Sequence, residues 1–492
     1  MSNIVVDFVV IGSGPSGWAA LHALVALGKK PLLIDIGFNS EKNHAASTAL
    51  VDEQIDFSLK SRHGSTYMYE YPADSIDVGN LKSKVPLSGA FGGLSTVWGT
   101  NLQLCREACM KSNDGLDLEY SIATKTVLTN MFHSGASDDL DSVGFWPIPF
   151  SDSTPQSNRM KKIQGDLRSV FNAEPFVVGM ARNATRGSAT GCLLCGKCMT
   201  GCQFEAIFST ENQIKQLIDT NQITYVRAAV ESIARGEGTV SVACTDLQID
   251  QHFKVDAKHV FLGAGAIATG AILIKSKIVP TRVNLTETQV AYLPIFTLKP
   301  KPNETPNYTL SQVFVESQDG LTSSSSFHMS LYEPSEDWEN RIKAVHPILG
   351  RLFSKMVIKR LIAGICFFPT SISGQLQLSL GEDMLVKVEE VRQVATLKIS
   401  KKRLKALRKL MLRARLFPLV ELAEFPPTGS SFHVGVLKHG KERCISNDGL
   451  TNFGVGLYII DGAALRSLPT GPVTLSIMVN STMIVNRVLA KQ

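Results

Sequence analysis

Apolar residues open the chain in a nearly unbroken run, Ile4-Val5-Val6-Asp7-Phe8-Val9-Val10-Ile11. β-Branched and aromatic residues without polar alternation predict a buried strand of a parallel sheet. The run ends in Gly12-Ser13-Gly14-Pro15-Ser16-Gly17, and a helical stretch follows from Trp18 to Leu27, stopped by Gly28. Pro31-Leu32-Leu33-Ile34 predicts a second strand ending at Asp35. Further along, residues 288–298, 311–317, 325–332, 374–380 and 384–389 read as strands of an antiparallel sheet. His328 falls in one of these alternating strands, and Val434-Gly435-Val436-Leu437 is also strand-like. Two basic stretches have helical spacing. From Pro347, Arg351, Lys355 and Lys359 are four apart, while Leu349, Leu352, Phe353 and Met356 line another face. From Lys401 to Arg415 there are eight basic residues, with Leu404, Leu407 and Met411 at helical intervals. Residues 114–141 and 303–337 are rich in Ser, Asp and Glu and read as loop-heavy.

The first unit has a specific physical logic. Gly12 allows a tight turn, Gly14 lets the backbone approach a pyrophosphate, and Gly17 lets helix and strand pack closely. Pro15 and Ser16 open the helix, whose N-terminus favours an anion, and belong with the glycines to a cofactor-binding set. Asp35 lies 18 residues beyond Gly17, where such units place an acid on the adenosine ribose. Strand, G-x-G-x-x-G, helix and acid together read as a dinucleotide site, and leave NAD and FAD both open.

Four of the nine cysteines, Cys192, Cys195, Cys198 and Cys202, fall within 11 residues. Their C-x2-C-x2-C-x3-C spacing matches a bacterial ferredoxin run, except that Gln203 follows in place of Pro. An iron–sulfur cluster, a zinc ion and a loop without metal are the competing readings. The fourth cluster ligand would be Cys202 or a remote thiol: Cys105, Cys109, Cys244, Cys366 or Cys444.

Composition narrows the class. The chain has 492 residues, enough for more than one domain, with 44% hydrophobic and 19% charged residues, which excludes a mostly disordered chain. The longest apolar run, Leu361 to Pro369, is 9 residues, short of the ~18 that a membrane span needs. Met1–Asn3 leads straight into the first strand without a basic n-region or cleavage site, so the reading is a cytoplasmic protein without a secretory signal. The net charge of +6 is uneven: residues 341–416 hold 17 Lys/Arg against 4 Asp/Glu, a +13 segment set against a −7 remainder. Basic amphipathic helices either lie peripherally on anionic membranes or turn their charges to water; the second is the commoner case. Aromatics are not interleaved with the charges and no recognition motif occurs, so nucleic acid is not an expected partner.

Five segments, in order, resemble the glucose–methanol–choline (GMC) flavoprotein oxidoreductases. They are the N-terminal unit with Asp35-Ile36-Gly37; Gly89-Ala90-Phe91-Gly92-Gly93-Leu94-Ser95-Thr96-Val97-Trp98-Gly99; Phe145-Trp146-Pro147-Ile148; Val260-Phe261-Leu262-Gly263-Ala264-Gly265-Ala266-Ile267; and a C-terminal pair. The pair comprises Ser431-Phe432-His433-Val434-Gly435 and Gly456-Leu457-Tyr458-Ile459-Ile460-Asp461-Gly462, continuing through Leu468 to Met478. The resemblance implies FAD, and an α/β fold in which a Rossmann-like FAD domain is assembled from residues 1–110, 185–285 and 428–492. An α+β substrate domain with an antiparallel sheet would comprise 111–184 and 286–427. It places Gly92, Gly93, Ser95, Trp98, Gly263, Gly265, Asp461, Gly462, Val473 and Thr474 at the cofactor, and His433 at the flavin as base or orienting group. Trp98 stands where many members have Asn, and the family's second catalytic His or Asn falls here at Gly471-Pro472-Val473.

The implied activity is oxidation of a CH–OH donor, such as a sugar or another polyhydroxylated or lipid-linked compound. Hydride goes to FAD, and electrons leave through an iron–sulfur cluster to an acceptor protein or quinone, as in a dehydrogenase. The rival is a flavin and iron–sulfur protein of different chemistry, or a non-catalytic electron-transfer or redox-sensing module.

Overall fold

The computed structural model describes residues 3–38, 76–79, 81, 85, 87–103, 116–136, 148–171, 176–196, 198, 202, 204–301, 308–317, 326–334, 357–391, 396–429 and 431–491. Three six-stranded sheets carry the fold. In the first, strand β1 (Asn3–Ile11) pairs in parallel with strand β2 (Leu32–Asp35) on one side and Gln251–Leu262 on the other. Thr224–Arg235 extends the sheet beyond β2, and Leu457–Ile459 extends it beyond 251–262, both in parallel. An antiparallel excursion through Val240–Asp246 joins the two long strands. Helix α1 (Pro15–Ala26) follows β1, with Pro15 in the first turn, where its missing N–H costs nothing. It starts three residues earlier than the apolar pattern predicts. β1 is fully buried only from Phe8 onward; Val5 is 71% exposed, because the strand outruns its helical cover.

The second sheet runs, in order, through Glu442–Arg443, Val434–His439, Arg282–Glu287, Gln375–Leu380, Val386–Val391 and Ile76–Asp77. The third runs through Leu416–Pro418, Val290–Thr297, Leu361–Phe367, His328–Tyr332, Ser311–Ser317 and Phe176–Met180, antiparallel throughout. One face of this third sheet is apolar. Leu293, Val313, Val315, Met329, Leu331 and Ile362 pack there against the helices Asn158–Phe171 and Thr396–Arg413. The other face carries Tyr292, Glu316, His328, Ser330, Tyr332 and Phe367, as the two-residue period of a strand requires.

All five strands predicted between 288 and 389 are present. The loop expected at 114–141 is corrected: Leu116–Thr129 is a helix. Its Tyr120, Ala123, Val127 and Leu128 recur at helical spacing and are buried in the main core, so period outweighs the polar composition around them. The basic stretch 401–415 forms most of helix Thr396–Arg413, whose Leu404, Leu407 and Met411 belong to the second core. Of the other basic stretch, residues 347–356 lie outside the described residues. Among the described residues no helix is long and apolar enough to cross a membrane.

Candidate active site

At the carboxyl end of β1 the chain turns through Gly12, whose φ of 99° belongs to the left-handed region. A Cβ on Gly12 would meet the Gly263 carbonyl oxygen at 2.4 Å, and one on Gly17 would meet the Gly12 oxygen at 1.8 Å. Gly14 has open space apart from Gly93 Cα at 3.9 Å. Two glycines thus serve packing, and one bares the backbone beside the helix N-terminus.

Three distant segments close around this turn. The Gly92 N–H donates to Ser13 Oγ at 2.7 Å, and Ser95 Oγ donates to the Gly92 oxygen at 2.7 Å. Thr210 Oγ1 lies 3.0 Å from the carbonyl oxygens of both Ser13 and Gly92 and 2.9 Å from Ser95 Oγ. Thr210 opens the helix Thr210–Asp219, which Ser209 caps. Asp35 accepts the N–H groups of Ser13 and Gly37, each at 2.7 Å, while burial pushes its carboxyl up to about 6.

These elements surround a cavity of about 300 Å³. Gly12, Gly14, Pro15, Ser16 and Asp35 line one part. Gly93, Ser95, Trp98, Gly263 and Gly265 follow, then Asp461, Gly462, Val473, Thr474 and His433. Of the expected cofactor residues, Gly17 and Gly92 stand behind the wall instead of on it; both hold the turn together, for the steric and hydrogen-bonding reasons above. Trp98 is fixed by donation from Nε1 to the Phe208 oxygen at 2.7 Å. Asp461 accepts from Thr269 Oγ1 and from the N–H of Ala463, and burial raises its carboxyl to about 6. Helix Thr474–Ala490 begins at the wall, preceded by Pro472 and Val473, so no polar side chain stands where the family's second catalytic group is expected. Asn480 lies within the helix, its amide nitrogen buried without a partner among the described residues.

His433 immediately precedes strand Val434–His439. The turn before it is held by Glu287, whose carboxylate accepts the N–H groups of Gly429 and Ser431 at 3.2 Å. Ser431 Oγ donates to the Thr288 oxygen at 3.1 Å and lies 3.3 Å from His433 Nδ1. With the Ser431 proton so engaged, Nδ1 is the protonated nitrogen and Nε2 the acceptor. The Phe367 ring packs edge-on against the imidazole, 5.0 Å between centroids. Desolvation, with a smaller contribution from His328, pushes the His433 pKa down to about 4, so the ring is neutral at pH 7.

Several wall residues escaped the sequence reading: Thr100, Asn101, Tyr292, Tyr332, Ile365 and Phe367. Thr100 has a φ of 57° and a buried hydroxyl without a partner among the described residues. The signal that could have found Tyr292 and Tyr332 is their place on the polar face of an otherwise core-forming sheet.

The cysteine run is brought to one place but not onto a metal position. Cys192, Cys195, Cys198 and Cys202 line one void of about 20 Å³ together with Thr185, Ala206, Tyr308 and Leu310. Yet among the described residues no three or more His, Cys, Asp or Glu side chains converge closely enough to hold a metal ion. Burial raises the thiols of Cys192 and Cys198. Cys244 and Cys366 are buried in sheets and Cys444 is half-buried, while Cys105 and Cys109 lie outside the described residues.

Against known proteins, a family model described as GMC oxidoreductase matches residues 168–286. Among solved structures, the chain is similar to pyridoxine 4-oxidase from Mesorbium loti, with a TM-score of 0.62 at 11% identity, covering 98% of this chain and 99% of that one. No curated protein matches the sequence. The match to the GMC model is confined to that segment, and the likeness to the solved structure is one of fold.

Proposed function

We propose that this GMC-type chain oxidises a CH–OH donor. The observation that carries the reading is His433 on the wall of the same cavity as the glycine turn and Asp35. The residues suit FAD: Gly12, Gly14, Pro15 and Ser16 for the pyrophosphate, Asp35 for the adenosine ribose, and the helix N-terminus at Val473–Thr474 for the flavin end. The buried Thr100 hydroxyl on this wall, without a partner among the described residues, suits a polar group of the cofactor. Bound there, FAD supplies a two-electron acceptor for hydride from the donor carbon. His433 Nε2 accepts the hydrogen bond of the donor hydroxyl and takes its proton as the bond to hydrogen on carbon breaks. Phe367 holds the imidazole plane, and Ser431 holds its tautomer. We assign the FAD domain to 1–110, 185–285 and 428–492, and the substrate domain to 111–184 and 286–427.

The thiols of 192–202 do not fit a cluster as they are arranged, and no electron transfer is drawn through them. Iron and acid-labile sulfide, assayed on protein purified without oxygen, are expected to be absent. Stoichiometric iron would reinstate the cluster and a carrier-linked dehydrogenase.

The test of the main reading is His433→Ala assayed against a panel of alcohols with an artificial acceptor. Turnover is expected to fall about 10²–10⁴-fold with flavin content unchanged. Undiminished turnover would remove His433 from the chemistry.

A further inference from the structure

The third sheet has an outer layer that the cavity does not use. The helices Asn158–Phe171 and Thr396–Arg413 cover its apolar face and touch each other, while Tyr292, Tyr332 and Phe367 on its other face line the cavity. Thr396–Arg413 carries eight Lys or Arg and no Asp or Glu. The chain has no acid anywhere between 391 and 420.

This charge pattern works against the helix in two ways. Lys398 and Lys401 stand near its start, at the positive end of the helix dipole, with no acid in the first turn to offset them. Lys398 and Lys402, Lys401 and Lys405, and Lys405 and Lys409 are like-charged pairs four residues apart, which repel. A helix face that is merely solvated intersperses both signs and avoids both costs.

The apolar stripe fixes which way the cations point. Leu404, Leu407 and Met411 lie in the second core. At about 100° per residue, Lys398, Lys402, Lys405 and Lys409 share the opposite side, and all four are exposed. They form a straight row about 17 Å long. Leu412 continues the row and is 44% exposed, and Lys161 and Lys162 are exposed on the neighbouring helix. Among the described residues Lys398, Lys402 and Lys409 make no ion pair. Lys405 acts on Glu421, whose carboxylate is already held by Arg408 Nη1 at 2.9 Å.

We infer that this outer layer is a docking surface for an anionic phospholipid bilayer. Charge complementarity calls for an anionic partner, and the residue types choose among anions. Lysine ammoniums act as point charges; the Arg forks and interleaved aromatics that suit a polynucleotide are not in the row. An exposed Leu beside the lysines suits the boundary between headgroups and acyl chains. The apolar stripe stays in the core, so attachment is electrostatic and reversible, and no helix leaves the fold. Docking through this layer turns the cavity side of the sheet away from the lipid. It holds whether or not the cavity oxidises an alcohol.

The test uses the full-length protein in a flotation assay with two vesicle preparations, phosphatidylcholine alone and phosphatidylcholine with phosphatidylglycerol, at low salt. Wild type is expected to float with the anionic vesicles and not with the neutral ones. It is expected to be released as salt rises toward about 0.5 M, where the screening length falls to about 4 Å. Replacing Lys398, Lys402 and Lys409 together with Ala is expected to weaken binding about a hundredfold, roughly fivefold for each lysine. That variant is expected to melt no lower than wild type, because it relieves repulsion and adds Ala to a helix, so lost binding is not lost folding. Lys402→Glu gives a second reading and is expected to weaken binding more than Lys402→Ala. A control set, Lys254→Ala with Lys277→Ala and Lys441→Ala, removes the same charge at exposed sites elsewhere and is expected to leave binding nearly unchanged. No flotation with anionic vesicles at low salt, equal flotation with neutral ones, or equal losses in both triple variants overturns the inference. So does a random-sequence DNA duplex that binds wild type more tightly than the anionic vesicles, which would assign the row to a polynucleotide.

Discussion

Asp35 shows how one side chain links fold to ligand. Its carboxylate already accepts two backbone N–H groups that shape the turn, and it faces the cavity as well. On the proposed FAD reading, replacing it with Ala removes a charge-assisted hydrogen bond to the ribose, about 1.5–3 kcal/mol. FAD affinity is expected to fall about tenfold to a hundredfold, measured by flavin fluorescence on dilution. Two other buried groups give opposite pH trends. His433 has its folded pKa lowered to about 4 from 6.5, so its contribution to stability is present above pH 6.5 and is lost as pH falls through about 4. Glu287 has its folded pKa raised by burial to about 7 from 4.5, so its contribution is full below pH 4.5 and is lost as pH rises through about 7. Melting temperatures are therefore expected to separate the variants. The advantage of wild type over His433→Asn shrinks toward acid, and that over Glu287→Gln shrinks toward neutrality. Parallel curves would show that neither group changes its environment on folding. At this scale the Gly12 turn and Asp35 were legible from their spacing, while His433 came from the family resemblance. Thr210, Glu287 and the Asn101–Ser330 hydrogen bond were not legible, since their partners lie up to about 230 residues away in sequence.

Among elements, period decided more than composition. The strands between 288 and 389 alternate or run apolar, and each is present near its predicted bounds. Leu116–Thr129 was hidden by polar neighbours, although its buried residues keep helical spacing. The basic helix Thr396–Arg413 illustrates the reverse risk, because its amphipathic pattern invites a membrane-inserted reading while its stripe is core. Leu404 is fully buried, so Leu404→Ala is expected to cost about 2–5 kcal/mol of stability, read by denaturant unfolding. A helix that used this stripe on a membrane would tolerate the change in solution. At the cysteine run, spacing gathers four thiols around one void. Short C-x2-C spacers are compatible with a cluster, but they do not dictate where the side chains point, and among the described residues they do not converge on a metal.

For the whole molecule, the first sheet gathers β1, β2, 224–262 and 457–459, so the cavity has walls from both ends and the middle of the chain. The third sheet closes the cavity with its polar face and builds its own core behind it. The hairpin of Gln375–Leu380 and Val386–Val391 joins the second sheet through pairing of its first strand with 282–287, a long-range pairing that no local pattern announces. The central claim is that this cavity holds FAD, and the most direct measurement is the visible spectrum of the purified full-length protein before and after incubation with FAD and desalting. The account predicts flavin absorption bands that stay with the protein, about one FAD released per chain on denaturation, and marked loss in Asp35→Ala. Folded protein that neither carries nor retains FAD would contradict it.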